Sequence, residues 1–381
     1  MVLFQVKILQ NALACDILIV METLKNIFSQ FDIQGTLISL EAHGEGHINH
    51  TFLAKMDCDG VIKQYIFQKI NGNLFTNLTG LMNNISLVTN FIKSKATELG
   101  KNPDTDCLTV IKTKDDKNFF ECEDGGYRVY NYIDGKSFQT VENSEQFYQS
   151  AVAFGEFARL LADFNAESLY EVLPNFHNTE KRLEAFKESL EKDALGRAKD
   201  VKDEIDFVLS RQEYASKIVS LLESGKMPYK VTHNDTKLNN VMFDKKGEKC
   251  LAVIDLDTIM PGSICYDFGD SIRFGCNHSL EDEKDLSKVN FDLELFDAYA
   301  KGYLSSIGDG ITQIEKDNLA MGSILMTYEC GMRFLKDHLD GDVYFKIHRE
   351  NHNLDRARTQ FKLVSDMEKV FDKMQEIVNK Y

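Results

Sequence analysis

The sequence lacks several features that would indicate particular classes of protein. It contains no tryptophan, and its eight cysteines (positions 15, 58, 107, 122, 250, 265, 276 and 330) form no Cys-x-x-Cys pair. That spacing fits neither a zinc site nor a disulfide framework, so we expect reduced thiols in a cytoplasmic protein. Basic residues are outnumbered 44 to 60 by acidic ones, which gives a formal net charge of −16. This balance argues against nucleic acid or an anionic membrane surface as a partner.

The chain also lacks a convincing membrane or export segment. No apolar run reaches the roughly 18 residues that suggest a transmembrane helix. The first twenty residues are apolar, but they have no basic opening and contain Asn11 and Asp16, which argues against a signal peptide. We expect residues 1–20 to be an extra N-terminal segment, or to precede a later true start at Met21.

The length and the order of the predicted elements indicate two lobes. At 381 residues, with 43% hydrophobic residues, the chain is long enough for two domains. Alternating patterns and helical spacing then predict these elements: strands at 36–42, 48–56, 64–70, 108–112, 127–132, 241–243 and 251–254; helices at 23–31, 77–99, 145–164, 179–193, 200–223 and 354–380. The sequence therefore predicts an α+β, bilobal protein-kinase-like fold. A β-rich N-lobe would span 21–133 and a larger, mostly helical C-lobe 134–381, joined by a crossing segment near 131–136.

The most informative motif is the segment His233-Asn234-Asp235-Thr236-Lys237-Leu238-Asn239-Asn240. His-x-Asp followed five residues later by Asn is the catalytic-loop pattern of kinase-like phosphotransferases. Asp235 would accept the proton of an attacking hydroxyl, Lys237 would contact the transferred phosphoryl group, and Asn240 would bind magnesium. A solvated loop is the alternative for His-x-Asp alone.

A buried-strand pattern after this loop ends in Asp255-Leu256-Asp257. A carboxylate at Asp255 could hold magnesium on the nucleotide phosphates, and Asp257 is a second metal candidate. The same segment also resembles the Asp-x-Asp nucleophile motif of a phosphatase. That motif normally opens a doubly wound sheet, whereas the rest of this chain has helical patterning, so we favour the kinase interpretation.

Asp267-Phe268-Gly269 matches the tripeptide that holds metal in protein kinases. Because Asp255 already occupies the expected strand end, we interpret Asp267 as structural or substrate-binding. Arg273 is open to the same two interpretations.

Three further features could bind ligands. The segment from Gly44 to Asn49 contains Gly-x-Gly and could cover phosphates, although a plain turn is the alternative. Lys69 could contact nucleotide phosphate, or it could be an exposed lysine whose position is uncertain by one residue relative to Gln68. Arg333 lies in an apolar helix, where it either pairs with Glu329 or turns into a pocket.

The motifs HNDTKLNNVMFD, AVIDLDTIMPG and YDFGDSIRFG resemble the aminoglycoside phosphotransferase and choline kinase superfamily. The segments EAHGEGHINHTFLAK, YIFQKINGNLF, GMRFLKDHLDGDVYFKIHR and NHNLDRARTQFKL resemble its N-acetylhexosamine 1-kinase branch. The resemblance covers residues from about 36 to about 363. It implies Asp235 as catalytic aspartate and Asn240 and Asp255 as magnesium ligands.

The resemblance also implies how the ligands are bound. The implied nucleotide contacts are Gly44, Gly46, Asn49 and Lys69 for phosphate, with Tyr132 and Ile133 near adenine. The implied sugar contacts are His47, Asp267 and Arg333, with Arg273 a further candidate.

The leading hypothesis is therefore a sugar 1-kinase that uses ATP and Mg²⁺ to phosphorylate the anomeric hydroxyl of an N-acetylhexosamine. Another small hydroxyl acceptor, such as a different sugar, choline or an amino alcohol, is the alternative. The absence of tryptophan makes a quaternary ammonium acceptor less attractive. We expect a monomer or weak dimer with no nucleic-acid or membrane partner.

Overall fold

The computed structural model describes residues 20–44, 48–100 and 107–381, and the chain divides into two compact units. The sheet unit comprises the chain up to Lys93 together with Leu108–Ile133, and the helical unit comprises Ser94–Cys107 and Asp134–Tyr381. An antiparallel sheet with helices and a mostly helical second unit confirm the predicted α+β fold class. Across the described ranges, no helix combines the length and apolar character that a bilayer crossing requires.

The described part of the sheet unit contains one antiparallel sheet of six strands in the order β1-β2-β3-β6-β4, with β5 paired to β6. The strands are β1 (Thr36–Ala42), β2 (His50–Cys58), β3 (Val61–Lys69), β4 (Val110–Ile111), β5 (Phe120–Cys122) and β6 (Gly125–Asn131). Alternation predicts the long strands, and Asp59-Gly60 with positive φ values of 55° and 85° closes the β2–β3 hairpin. The three-residue β5 is missing from the sequence prediction because it is too short to show a period.

The core of the sheet unit forms around Phe67 of β3. This side chain is fully buried, stacks on Tyr127 at 5.3 Å between ring centroids and meets the edge of Phe28 at 5.4 Å. Phe28 belongs to the first helix, α1, which is helical over residues 20–28. Because side chains two apart share a face of a strand, Lys69 lies on the same face as Phe67, nearer the end of β3.

The helical unit contains two short antiparallel strand pairs among its described helices. The helices are α2 (Leu78–Glu98, shared with the sheet unit), α3 (Ser144–Leu160), α4 (Thr179–Lys192), α5 (Lys202–Ser210), α6 (Val219–Glu223), α7 (Ile264–Gly275), α8 (Leu293–Ile307), α9 (Gln313–Asp317), α10 (Leu319–Asp340), α11 (His352–Lys369) and α12 (Phe371–Lys380). The strand pairs are β7 (Lys230–Thr232) with β10 (Met260–Gly262), and β8 (Val241–Phe243) with β9 (Cys250–Val253).

Two long helices predicted in this unit are interrupted. The predicted helix at 200–223 divides into α5, a 3₁₀ turn at Gln212–Ser216 and α6. Near this break, the Arg211 guanidinium donates two hydrogen bonds to Glu368 of α11, a tertiary contact that helical spacing does not reveal. The predicted helix at 354–380 divides at Val370, whose φ of −118° leaves the helical region.

The strand before Asp255 has a topology that excludes the phosphatase interpretation. In the described residues, β9 pairs only with β8, in antiparallel register from Val241 opposite Val253. A doubly wound phosphatase fold would place this strand in a parallel sheet covered by helices on both faces. The predicted alternative of an Asp-x-Asp phosphatase is therefore not supported by the fold.

Two glycines, one on each helix, allow α7 and α10 to pack closely together. A Cβ atom added at Gly269 of α7 would lie 2.3 Å from the Gly322 carbonyl oxygen, and one added at Gly322 would lie 2.5 Å from the Cys265 carbonyl oxygen. Real Cβ atoms do not come this close to backbone oxygens. Glycine at both positions therefore sets the spacing of the two helices.

We expect Gly269→Ala to lower the free energy of unfolding by about 1–3 kcal/mol, because the methyl group would push backbone against backbone in a packed core. Urea unfolding followed by circular dichroism measures the change. Gly72→Ala is the control, since a Cβ at this exposed glycine meets nothing within 4 Å. Equal stability of the Gly269→Ala variant and the wild type would contradict the close helix contact.

Candidate active site

The predicted catalytic loop leaves β7 through His233, a fully buried residue. Its Nε2 donates to the carbonyl of Ile254 at 2.9 Å, and its Nδ1 accepts the backbone N–H of Asp235 at 3.3 Å. One imidazole therefore links the start of the loop to the end of β9. This brings the Asp235 segment beside the residue that precedes Asp255.

Asn234 turns the loop with a left-handed backbone, φ +63°. Asparagine tolerates this conformation better than most residues. Its side-chain amide donates to the carbonyl of Thr258 at 2.9 Å and to that of Thr232 at 3.2 Å. These contacts fix the turn immediately before Asp235.

The carboxylate of Asp267 binds the loop backbone. Its two oxygens accept the N–H groups of His233 at 2.8 Å and Asn234 at 2.7 Å. Burial raises the pKa of Asp267 to about 6, while the two N–H donors and the His233 ring oppose that rise. This geometry matches the structural interpretation of the Asp-Phe-Gly tripeptide, and an acceptor contact for Asp267 stays a prediction.

Asp270, one turn further along α7, supports the loop in the same way. It accepts the N–H of Thr236 at 3.0 Å through one oxygen and binds the Arg273 guanidinium at 2.8 Å and 2.9 Å through the other. Arg273 also donates to Glu281 at 2.9 Å, and the arginine itself is buried. Both observed partners of the predicted acceptor residue Arg273 are thus carboxylates of the protein.

The side chain of Asp235 lies between a lysine and an amide. Lys237 Nζ is 2.7 Å from its Oδ1, and Asn240 Nδ2 donates to its Oδ2 at 3.2 Å and to its carbonyl at 2.7 Å. Burial would raise the pKa of Asp235, but the Lys237 ammonium holds it below its usual value. The same attraction raises the pKa of Lys237, so both groups are charged at neutral pH.

The predicted metal ligands offer the oxygen donors that magnesium prefers. The N–H of Ile254 donates to the carbonyl of Asn240 at 2.9 Å, which places Asn240 and Asp255 on adjacent strand ends. Asp255 has a left-handed φ of +60° and is exposed, whereas Asp257 lies in the following 3₁₀ turn and is buried. In the described ranges no group of three or more His, Cys, Asp and Glu side chains forms a metal site. The predicted set, two carboxylates and an amide, has the donor chemistry of a site completed by phosphate and water.

Arg333 of α10 is not paired with Glu329. Its guanidinium lies 5.4 Å from the ring centre of Phe176 and 5.5 Å from that of Phe345, and it makes no hydrogen bond or ion pair with any described residue. Glu329 instead accepts from Thr179 Oγ1 at 2.6 Å and faces His177 Nδ1 at 2.8 Å. Arg333 therefore forms no direct ion pair with Glu329, although its charge still lowers the pKa of that carboxylate. The predicted alternative, a turn into a pocket, stays a prediction.

A buried carboxylate shapes the loop beside Arg333. Asp337 accepts the N–H groups of Val343 at 3.0 Å, Tyr344 at 2.8 Å and Phe345 at 2.9 Å. It also accepts the side-chain amide of Asn353 at 2.9 Å. The loop is thereby held with Phe345 against Arg333.

The predicted nucleotide residues lie in the sheet unit. Lys69 is paired with Asp124 at 2.8 Å, while Gln68 accepts from the buried Arg128 at 2.9 Å. Gly44 has a φ of +75°, Asn49 accepts the N–H of Asn71 at 3.0 Å, Tyr132 lies edge-on to His43 and Ile133 is buried. Gly46 and His47 lie outside the described residues. The nucleotide roles stay predictions.

Several residues at the site escaped the sequence analysis. They are His177, Thr179, Arg182, Thr236, Asp270 and Asp337. Thr236 and Asp270 lie within motifs that the sequence already marks. Their hydrogen-bonding side chains are the signal that could have predicted a role in holding the loop. His177 and Arg182 come from a segment more than 50 residues before the loop, where nothing local marks them.

Comparisons with known proteins place the chain among phosphotransferases. Residues 103–307 match the sequence model of the phosphotransferase enzyme family, APH. Among solved structures, an aminoglycoside phosphotransferase from Alicyclobacillus acidocaldarius is 12% identical, with a TM-score of 0.57 over 94% of this chain and 96% of that one. A choline kinase from Cryptosporidium parvum is 14% identical, with a TM-score of 0.58 over 94% and 98% of the two chains. A Plasmodium vivax ethanolamine kinase is 15% identical, with a TM-score of 0.54 over 86% and 84%. At these identities the structures establish the fold.

We expect Asp337→Asn to lower the free energy of unfolding by about 1–3 kcal/mol, because an amide cannot accept every N–H that faces this carboxylate. Asp340→Asn on the same helix is the matched control. Asp340 forms a partly exposed ion pair with Lys336, so its loss should change stability by about 1 kcal/mol or less. Urea unfolding compares the two variants, and equal effects would contradict the role given to Asp337.

Proposed function

Because the chain belongs to the phosphotransferase enzyme family, we propose that it is an ATP-dependent kinase of a small molecule. The proposed reaction transfers the γ-phosphoryl group of ATP to the anomeric hydroxyl of an N-acetylhexosamine, such as N-acetylglucosamine or N-acetylgalactosamine. The supporting observation is the Asp235 carboxylate, held between Lys237 and Asn240 on a loop that α7 fixes. Resemblance of the flanking segments to N-acetylhexosamine 1-kinases supports the choice of acceptor.

In this proposal, Asp235 accepts a hydrogen bond from the acceptor hydroxyl and orients it. The hydroxyl oxygen forms a bond to the γ-phosphorus while the bond from that phosphorus to the bridging oxygen of ADP breaks. The hydroxyl proton passes to Asp235 and then to solvent. Because the pKa of Asp235 is low, its main contribution is orientation and late proton acceptance rather than early deprotonation.

Lys237 has a second function here. Its ammonium already touches Asp235 and can also approach an oxygen of the transferred group, where it would stabilise negative charge. Asn240 and Asp255, with Asp257 as a further candidate, would hold a magnesium ion that supplies charge neutralisation when bound. Within the sheet unit, Gly44, Gly46, Asn49 and Lys69 are proposed phosphate contacts, and Tyr132 and Ile133 are proposed adenine contacts.

Arg333 is the proposed anchor of the acceptor. Its guanidinium lies over the rings of Phe176 and Phe345, and its donors remain available within the described chain. Burial lowers the pKa of Arg182, and the positive charge of Arg333 lowers it further. The two arginines are therefore close enough to interact electrostatically. Planar donors suit the hydroxyl and carbonyl oxygens of a sugar. His47, Asp267 and Arg273 are the remaining acceptor candidates.

One cavity favours a second acceptor class. It opens to solvent and touches the loop at Asn234. Its wall includes the carboxylates Glu171 and Glu223 and the rings of Phe176, Tyr229 and Tyr266. Among the described residues, His177 is the basic side chain that lines it, and no lysine or arginine does. Carboxylates and aromatic rings suit a protonated amine. An amino alcohol or choline is therefore the alternative acceptor, in keeping with the choline and ethanolamine kinases that share this fold.

We expect Asp235→Asn to lower kcat by about 10²- to 10⁴-fold while ATP still binds, because the amide cannot accept the hydroxyl proton. A coupled ADP-release assay with and without magnesium would compare N-acetylglucosamine, N-acetylgalactosamine, galactose, glucose, choline and ethanolamine. Asp309→Asn, an exposed site away from the loop, is the control. Near-normal turnover of the Asp235→Asn variant would overturn the assignment, and turnover confined to the amines would select the alternative acceptor.

We expect Arg333→Met to raise the KM for the acceptor by about tenfold or more, with the KM for ATP unchanged, because a charged hydrogen-bond donor is lost. Methionine keeps part of the contact with Phe176 and Phe345. Steady-state kinetics with each substrate varied in turn would measure the effect. Arg159→Met, on the surface of α3, is the matched control, and an unchanged acceptor KM in the Arg333 variant would remove this residue from the acceptor site.

A further inference from the structure

His177 connects a buried carboxylate to the catalytic loop. Its side chain lies between Glu329 of α10, 2.8 Å from Nδ1, and the carbonyl oxygen of Asn234, 3.3 Å from Nε2. We propose that His177, acting as an imidazolium held by Glu329, is a positioning residue that sets the direction of Asp235. The inference concerns the reaction of the proposed function and rests on it.

Hydrogen-bond chemistry determines the protonation of the ring. A carbonyl oxygen can only accept, so Nε2 must carry a hydrogen to bind Asn234. The Glu329 carboxylate already accepts from Thr179 Oγ1 at 2.6 Å. Burial opposes its ionisation, but the His177 ring and then Arg333 keep the pKa of Glu329 below its usual value. An ionised Glu329 also only accepts, so Nδ1 carries a second hydrogen and the ring is a cation.

The Asn234 carbonyl is the part of this turn that His177 holds. Asn234 has a left-handed backbone, and its N–H and side chain are bound by Asp267, Thr232 and Thr258. Within the described residues, its carbonyl oxygen accepts a hydrogen bond from His177 alone. That carbonyl belongs to the peptide group leading into Asp235, so its orientation sets the direction in which the next residue projects.

The surroundings of His177 make its charge depend on Glu329. On α7, the ring centre of Tyr266 lies 5.5 Å from that of His177. Burial raises the pKa of Asp267 on the same helix, and the charge of the imidazole opposes that rise. From α4 and α10, Arg182 and Arg333 add positive charge near the carboxylate. The ring of Phe176 is tilted by 59° against the His177 ring, with 4.4 Å between the ring centres. Glu329 is the carboxylate in hydrogen-bond contact with the ring.

Replacement of Glu329 by glutamine distinguishes the effect of the Glu329 charge on His177 from the effect of its packing. The Glu329→Gln side chain keeps the size and can still accept from His177, but it no longer stabilises a cation. At high pH the ring then loses one hydrogen. When the new amide accepts from Nδ1 through its oxygen, the lone pair of Nε2 faces the Asn234 carbonyl and that hydrogen bond is lost. Loop geometry in this variant should recover in acid, where both ring nitrogens carry a hydrogen again and Nε2 can donate to the Asn234 carbonyl.

The test is the pH profile of kcat for five proteins: wild type, Glu329→Gln, Thr179→Val, His177→Phe and the double variant Glu329→Gln/His177→Phe. We expect the ratio of wild-type to Glu329→Gln kcat to rise by about tenfold between pH 6 and pH 8, with acceptor KM changed far less. Thr179→Val removes a hydrogen bond but keeps the charge, so its ratio should stay flat. The double variant should lose the recovery at low pH. Thermal unfolding confirms that each variant is folded at each pH.

A constant ratio across this pH range, or wild-type kcat in His177→Phe, would overturn the proposal. Ring ¹⁵N NMR provides a readout without turnover, with the His177 signals assigned from their loss in His177→Asn. Two protonated nitrogens in the wild type at pH 7.5, and one in Glu329→Gln, are expected. If no acceptor is phosphorylated but the NMR result holds, the proposed function fails and the protonation of His177 stands. A singly protonated wild-type ring would overturn the inference itself.

Discussion

The candidate active site depends first on the two hydrogen bonds that Asp267 accepts from the backbone of His233 and Asn234. A carboxylate buried this deeply resists ionisation, which is why its pKa rises to about 6. Near neutral pH Asp267 is mostly ionised, and the hydrogen bonds from two backbone N–H groups then offset the free-energy cost of burying its charge. The loop and α7 therefore stabilise each other. Because Gly269 brings α7 against α10, any side chain on the facing surface of α10 is placed relative to the loop as well.

Three side chains of α10 lie in one stripe along the helix. Glu329, Arg333 and Asp337 follow at intervals of four, so they lie on one face of the helix, one turn apart. Glu329 contacts His177, Arg333 lies within 5.5 Å of two aromatic ring centres, and Asp337 binds the loop that carries Phe345. One helix thus carries both a carboxylate that supports the proposed catalytic loop and the guanidinium proposed to bind the acceptor. A shift of α10 would be expected to disturb both functions together.

The parts of this arrangement that the sequence predicted are those encoded locally. His-x-Asp with its Asn, and the carboxylate after a buried strand, have fixed spacings, and alternation predicted the long strands of the sheet. The contact between His177 and Glu329 joins residues 152 apart, so no window of sequence contains it. The division of the predicted helix at 200–223 likewise lies beside an ion pair from Arg211 to Glu368. Sequence patterns predict which residues a loop contains, but not which distant side chains hold it.

Charge pairing explains why a metal nucleotide, rather than a free one, is the expected donor. The cations nearest to Asp235 have partners: Lys237 is paired with Asp235 itself, and Arg273 with Asp270 and Glu281. Arg333, the proposed acceptor anchor, lies over the rings of Phe176 and Phe345. A polyphosphate approaching this loop would therefore meet carboxylates whose charge is only partly balanced, in a chain of net charge −16. A divalent cation, held by the proposed ligands Asn240 and Asp255, would turn that repulsion into attraction.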